Sequence, residues 1–144
     1  MLDEDEVEVA RDQYGVVIHH PAAALLELRW LPATAHMDDE DWKAGLELLA
    51  GQAERLRPAF LLIDATQFGH RFANPDQVMT WRDQTIIPRY DRAGVKKFAF
   101  QMPPEFKQTM EAGAEPVHEG PASYPTAWFT ERANAVAWFG DQAR

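Results

Sequence analysis

Adjacent histidines invite a metal ion, and the sequence offers one such pair, His19-His20. They fall, however, in the run Tyr14-Gly15-Val16-Val17-Ile18, which reads as a strand, and neighbours on a regular strand point to opposite faces. One ion cannot take both, and no metal site is expected. His36, His70 and His118 sit in predicted loops or caps at no ligand spacing and read as surface histidines. Asp64 has a stronger claim. It ends the apolar run Phe60-Leu61-Leu62-Ile63, and open α/β sheets bind ligands at the carboxyl ends of their strands. The competing role is a carboxylate that caps the backbone N–H groups of the following loop, and that role is preferred, because no nucleophile or second acid lies at a telling spacing. The same loop carries Phe68, His70, Arg71 and Phe72, a His/Arg pair between two aromatics. That arrangement suits a small anion; equally, the two rings serve to anchor the loop to the core. Asp64, Phe68, His70, Arg71 and Phe72 are therefore the ligand-binding candidates, and no residue qualifies as catalytic.

The chain holds no Gly-rich phosphate loop, no paired-carboxylate spacing and no Gly-x-Ser-x-Gly turn, so neither an enzymatic reaction nor a cofactor is expected. With no cysteine there is no thiol nucleophile and no disulfide framework. Fourteen Lys and Arg against twenty-three Asp and Glu leave a formal charge of −9, a field that repels phosphate backbones and anionic surfaces. Nucleic acid is not an expected partner. No apolar stretch approaches the roughly 18 residues of a membrane span, and the acidic start Met1-Leu2-Asp3-Glu4-Asp5-Glu6 lacks the apolar core of a signal peptide, so a cytoplasmic address is expected.

At 144 residues and 46% hydrophobic, with five Trp, eight Phe and three Tyr, the chain has the material for one aromatic-rich core. Residues 1–13 are read as an acidic, frayed N-terminus and residues 14–144 as the domain. Tyr14 to His20 and Ala23 to Trp30 read as a hairpin about Pro21-Ala22. Leu26, Leu28 and Trp30 alternate with Glu27 and Arg29, which predicts one buried and one wet face near a sheet edge. Asp38 then caps a helix in which Trp42, Leu46, Leu49, Ala53 and Leu56 share a face, with acids in the first turn and Pro58 closing it. Gly45 and Gly51 inside it predict close packing on the sheet. Phe60 to Ile63 reads as a central parallel strand. Asn74-Pro75 opens a second helix through Val78, Trp81 and Ile86, bent or stopped at Pro88 and followed by Gly94. Val95 to Met102 and Thr126 to Thr130 read as strands around a long loop. Glu131 to Phe139 reads as a closing helix with Ala133, Val136, Ala137 and Trp138 toward the sheet. The result is an α/β domain with a mixed sheet of about five strands, an N-terminal β-hairpin and three main helices.

The segments Leu62-Ile63-Asp64-Ala65, Ile87-Pro88-Arg89 with Gly94-Val95-Lys96-Lys97-Phe98-Ala99-Phe100, and Thr130 to Phe139 together resemble bacterial SpoIIAA-like, STAS-type proteins over most of residues 14–139. The resemblance implies a small non-enzymatic module that contacts other proteins, a homodimer partner included, or a small ligand. Regulatory members carry a phosphorylatable serine at the start of the helix after the central strand, where a helix N-terminus favours negative charge. Here that place holds Ala73-Asn74-Pro75, and the only serine is Ser123. The expected function is an interaction module without that switch. The alternative is a carrier or sensor of a small apolar or amphipathic ligand, suggested by Trp42, Trp81, Phe68, Phe72, Trp128 and Trp138, more large rings than a small core easily hides. A hydrolase-like enzyme on Asp64 and His70 is the least favoured reading.

Overall fold

A computed structural model of the chain describes residues 6–105 and 121–141. Six strands form one mixed sheet in sequence order: β1 (Val7–Arg11), β2 (Gly15–His20), β3 (Leu25–Trp30), β4 (Phe60–Asp64), β5 (Lys97–Gln101) and β6 (Thr126–Phe129). β1, β2 and β3 run antiparallel as a meander, and β3 to β6 run parallel. The class is the expected α/β one, with one strand more than the five read from the sequence. The extra strand is β1, which corrects the reading of residues 1–13 as a frayed end from Val7 onward. Val7 pairs with His19 and Arg11 with Val16, with a bulge between Glu8 and Ala10. Glu6-Val7-Glu8-Val9 alternates at strand period, and its acids face water on an edge strand, where charge discourages further pairing.

Helices cover both faces. α1 (Asp39–Leu56) starts at Asp38 in a reciprocal capping box: the Asp38 carboxylate accepts from the Asp41 N–H, and the Asp41 carboxylate accepts from the Asp38 N–H. Trp42, Leu46, Leu49 and Ala53 are buried, as their spacing predicts. Gly45 packs as expected, for a Cβ there would lie 2.5 Å from the Trp30 ring. Gly51 does not, since a Cβ would meet nothing within 4 Å.

The second helix is continuous but not uniform. α2 (Pro75–Trp81) passes through a π-helical turn, Arg82–Ile86, into α3 (Ile87–Arg92). Pro88 does not stop it. Proline lacks an N–H, and its ring crowds the carbonyl four residues back, so the ladder widens one turn earlier, where the Ile87 N–H reaches the Arg82 carbonyl. Gly94 follows with φ of +94°, a left-handed conformation that favours glycine.

α4 (Arg132–Phe139) lies on the opposite face of the sheet. Ala135 and Phe139, four residues apart, are its buried positions and meet Leu25, Leu62 and Ala99. This corrects the expected phase: Ala133 and Ala137 are exposed and Val136 is half-buried, while Trp138 packs partly against the cluster. The two faces thus hold two cores, a large one under α1, α2 and α3 and a small one under α4.

Candidate ligand cavity

The front face of the sheet presents Trp30 from β3, Ile63 from β4, Phe98 and Phe100 from β5, and Trp128 from β6. Strand alternation sends all of these to one side. Opposite them stand Trp42 and Leu46 of α1 and Met79, Arg82, Ile86 and Tyr90 of the second helix. Between the two layers lies a cavity of about 230 Å³. Some of the rings meet edge-on or tilted, Trp42 with Phe72 at 5.0 Å between centroids and Trp30 with Phe68 at 5.4 Å, whereas Phe100 and Trp128 stack at 5.8 Å.

The loop after β4 forms a further wall and is pinned at three points. At its start the Asp64 carboxylate accepts from the Thr66 N–H at 3.0 Å and the Thr66 hydroxyl at 2.7 Å. In its middle the Thr34 hydroxyl accepts from the Gly69 N–H at 2.9 Å while donating to the Leu31 carbonyl at 2.8 Å. At its end one carboxylate, Asp39 in the first turn of α1, accepts from His70 Nε2 at 2.8 Å and from the N–H groups of Ala73 and Asn74. Burial opposes charge on Asp39, but the Asn74, Ala73 and His70 bonds outweigh it and hold its carboxyl below the ordinary range.

The loop therefore delivers Phe68 and Phe72 to the cavity and turns the other candidates elsewhere. His70, its side chain only 4% exposed, is spent on Asp39 between the two Phe rings, which corrects its reading as a surface histidine. Arg71 is exposed. Asp64 points to the opposite face, where Arg29 Nε approaches it at 3.9 Å. Of the surplus rings, Trp42 and Trp128 join Phe68 and Phe72 in the wall. Trp81 meets Trp42 edge-on from outside the wall, and Trp138 lies on the back face beside Phe129. His118 lies outside the described residues, and Ser123 donates to Asp91. Sequence reasoning missed Arg82, Tyr90, Phe98 and Phe100; their spacing of two along β5 and four or eight along the second helix was the available signal.

Arg82, Tyr90, Tyr124 and Thr126 bring polar groups to the otherwise apolar wall. Arg82, half-buried, donates through Nε and Nη2 to the neighbouring Asp83. Tyr90 is 2% exposed, and its Oη meets no hydrogen-bond partner among the described residues. Burial pushes that hydroxyl well above its ordinary range, so it stays protonated.

On the back face lies a group the sequence reading placed in water. Glu27 is fully buried, because β3 is central and α4 covers it. Its carboxylate accepts from His20 Nε2 at 3.0 Å, from Arg29 at 3.1 and 3.3 Å, and from Arg132 of α4 at 2.6 and 3.0 Å. Burial alone would raise its pKa. The His20 and Arg132 hydrogen bonds and the charges of Arg132 and Arg29 override that and bring it from 4.5 down to about 2.

Fold and site together define a class, a mixed-sheet α/β domain with an aromatic-walled cavity under its second helix. No family model, curated protein or solved structure matches the chain. Among the described residues no group of three or more His, Cys, Asp or Glu is arranged to hold a metal ion, and no helix is long and apolar enough to cross a membrane.

Proposed function

We propose that this domain binds a small apolar or amphipathic molecule in the cavity between the sheet and its two front helices, as a carrier or sensor and not as a catalyst. The cavity carries the reading. An apolar cavity of about 150 Å³ suffices for benzene, so about 230 Å³ admits one to two fused rings. The wall of Trp30, Trp42, Phe98, Phe100 and Trp128 matches flat, apolar ligands in shape and polarisability. A self-associating module of STAS type, the other expectation, calls for a contiguous apolar face. Among the described residues Val7, 50% exposed, is the one large apolar side chain left out in water.

The test is calorimetric titration of the whole chain with naphthalene, beside an Ala65→Phe variant. Ala65 lines the cavity and is almost buried, so a ring there fills the space from within. Saturable binding by the parent and none by a variant that still melts cooperatively is the expected result. Absence of binding by the parent up to the solubility limit of naphthalene refutes it.

A further inference from the structure

The cavity has a neighbour. Ala65, Phe68 and Met102 line it from within and, with Pro103 and Glu105, also line a second hollow outside. Ala65 directly follows β4 and Met102 directly follows β5, and the Ala65 N–H donates to the Gln101 carbonyl at 2.8 Å. The outer hollow therefore lies at the carboxyl ends of two parallel strands, where open α/β sheets take their ligands. Phe68 stands on the loop pinned by Asp64, Thr34 and Asp39. Met102 is the adaptable member of the neck between the two spaces, an unbranched side chain that changes shape at low cost.

The two chambers differ in what they can do for a charge. Among the described lining residues the inner wall has one charged side chain, Arg82, already donating to Asp83. Tyr90 is buried, and Tyr124 and Thr126 add only neutral hydroxyls. A charged group drawn inside would lose its water without meeting an unengaged counter-charge. The outer hollow is different. Glu105 is exposed, so a head group beside it keeps water, and Phe68 adds a ring whose π face attracts cations. No Lys or Arg lines that hollow among the described residues, and the formal charge of −9 draws cations toward the protein at long range.

We propose that the ligand is an amphiphile with an aromatic body in the cavity and a cationic head, an ammonium in the simplest case, in the outer hollow between Phe68 and Glu105. The neck at Phe68 and Met102 holds the link between body and head. This inference rests on the ligand-binding reading above and adds the ligand's charge and its orientation.

The experiment is calorimetry on the whole chain at neutral pH and low salt with four probes: naphthalene, 2-naphthylmethylammonium, 2-naphthoate, and the ammonium probe carrying a polyethylene glycol chain on its nitrogen. The ammonium is expected to bind at least about threefold more tightly than naphthoate, a preference that fades at high salt because pairing with an exposed carboxylate is screened. Glu105→Lys, at an exposed position, should reverse the order of the two ions and leave naphthalene unchanged. The glycol chain should leave the ammonium affinity nearly unchanged, since a head outside the neck lets the chain run into water. Naphthalene bound with naphthoate as tight as the ammonium, or with neither ion bound, overturns the cationic head and spares the cavity reading. So does an order of ions unmoved by Glu105→Lys. Loss of binding on adding the glycol chain overturns the orientation. Absence of naphthalene binding removes both readings.

Discussion

Glu27→Gln tests whether the buried carboxylate under α4 is ionised and how much its partners stabilise the fold. The group is fully buried, so its electrostatics are little screened by solvent, although Arg29 and Arg132 are about one-third exposed. Its pKa is 4.5 unperturbed and about 2 in the fold. At 1.36 kcal/mol per pH unit, that difference amounts to about 3 kcal/mol of stability at neutral pH. A depressed carboxylate pKa stabilises the fold above the unfolded value. The contribution is full above pH 4.5 and is lost as pH falls towards about 2. Glutamine keeps the shape and one acceptor but removes the charge, so it resembles the protonated carboxyl.

The assay is urea unfolding of parent and variant, followed by tryptophan fluorescence at pH 7, 5, 4, 3 and 2.5. Glu27→Gln is expected to be about 3 kcal/mol less stable at pH 7, within the range for breaking a buried ion pair, and the gap should narrow steadily below pH 4.5. Other carboxylates with lowered pKa, among them Asp39 and Glu54, titrate in both proteins and cancel in the difference. A gap that is constant between pH 7 and 2.5, or absent at pH 7, would show that Glu27 is not held ionised by Arg132, Arg29 and His20.

Gly45→Ala should lower the melting temperature, because the added methyl meets the Trp30 ring at 2.5 Å and overpacking costs about 1–3 kcal/mol, more than the helix propensity gained. Gly51→Ala, with open space around it, should instead raise stability by up to about 1 kcal/mol; thermal melts in which the two behave alike refute the packing argument. Trp42→Ala should destabilise by about 3 to 5 kcal/mol in denaturant titrations, since the ring is buried against Phe72 and Trp81; a cost below about 1 kcal/mol would contradict its burial. Asp39→Asn should weaken naphthalene binding and lower the melting temperature together, because Asp39 fixes the loop that carries Phe68 and Phe72; unchanged binding would show that the loop holds its shape without it.

What was legible in the sequence was what local pattern decides. The 3.6-residue period of Trp42, Leu46, Leu49 and Ala53, the cap at Asp38 and the apolar run before Asp64 each specify an element by neighbours within a few residues, and each appears in the fold. The second helix crossed Pro88 because a π turn absorbed the missing N–H, an adjustment with no residue signature of its own. α4 was placed one face out of phase because eight residues made mostly of Ala, Val, Trp and Phe carry almost no polar stripe from which to read an angle.

Glu27 shows why the rest was hidden. A charged residue alternating with leucines has one reading at sequence level, a half-solvated strand, and that reading assumes water on the far side. Whether water is there depends on α4, whose Arg132 stands 105 positions away along the chain, and on Arg29 and His20 gathering at the same point. None of these residues is unusual in its own segment; only their convergence turns a solvent-facing acid into a buried one. The cavity has the same origin. Trp30, Phe100, Trp128 and Tyr90 come from four elements, each with an ordinary pattern, and the space between them exists only once the parallel crossovers bring sheet and helix together. The number of aromatic rings was legible in the sequence, whereas the burial of the Tyr90 hydroxyl without a partner among the described residues became visible only with every neighbour of Tyr90 in place.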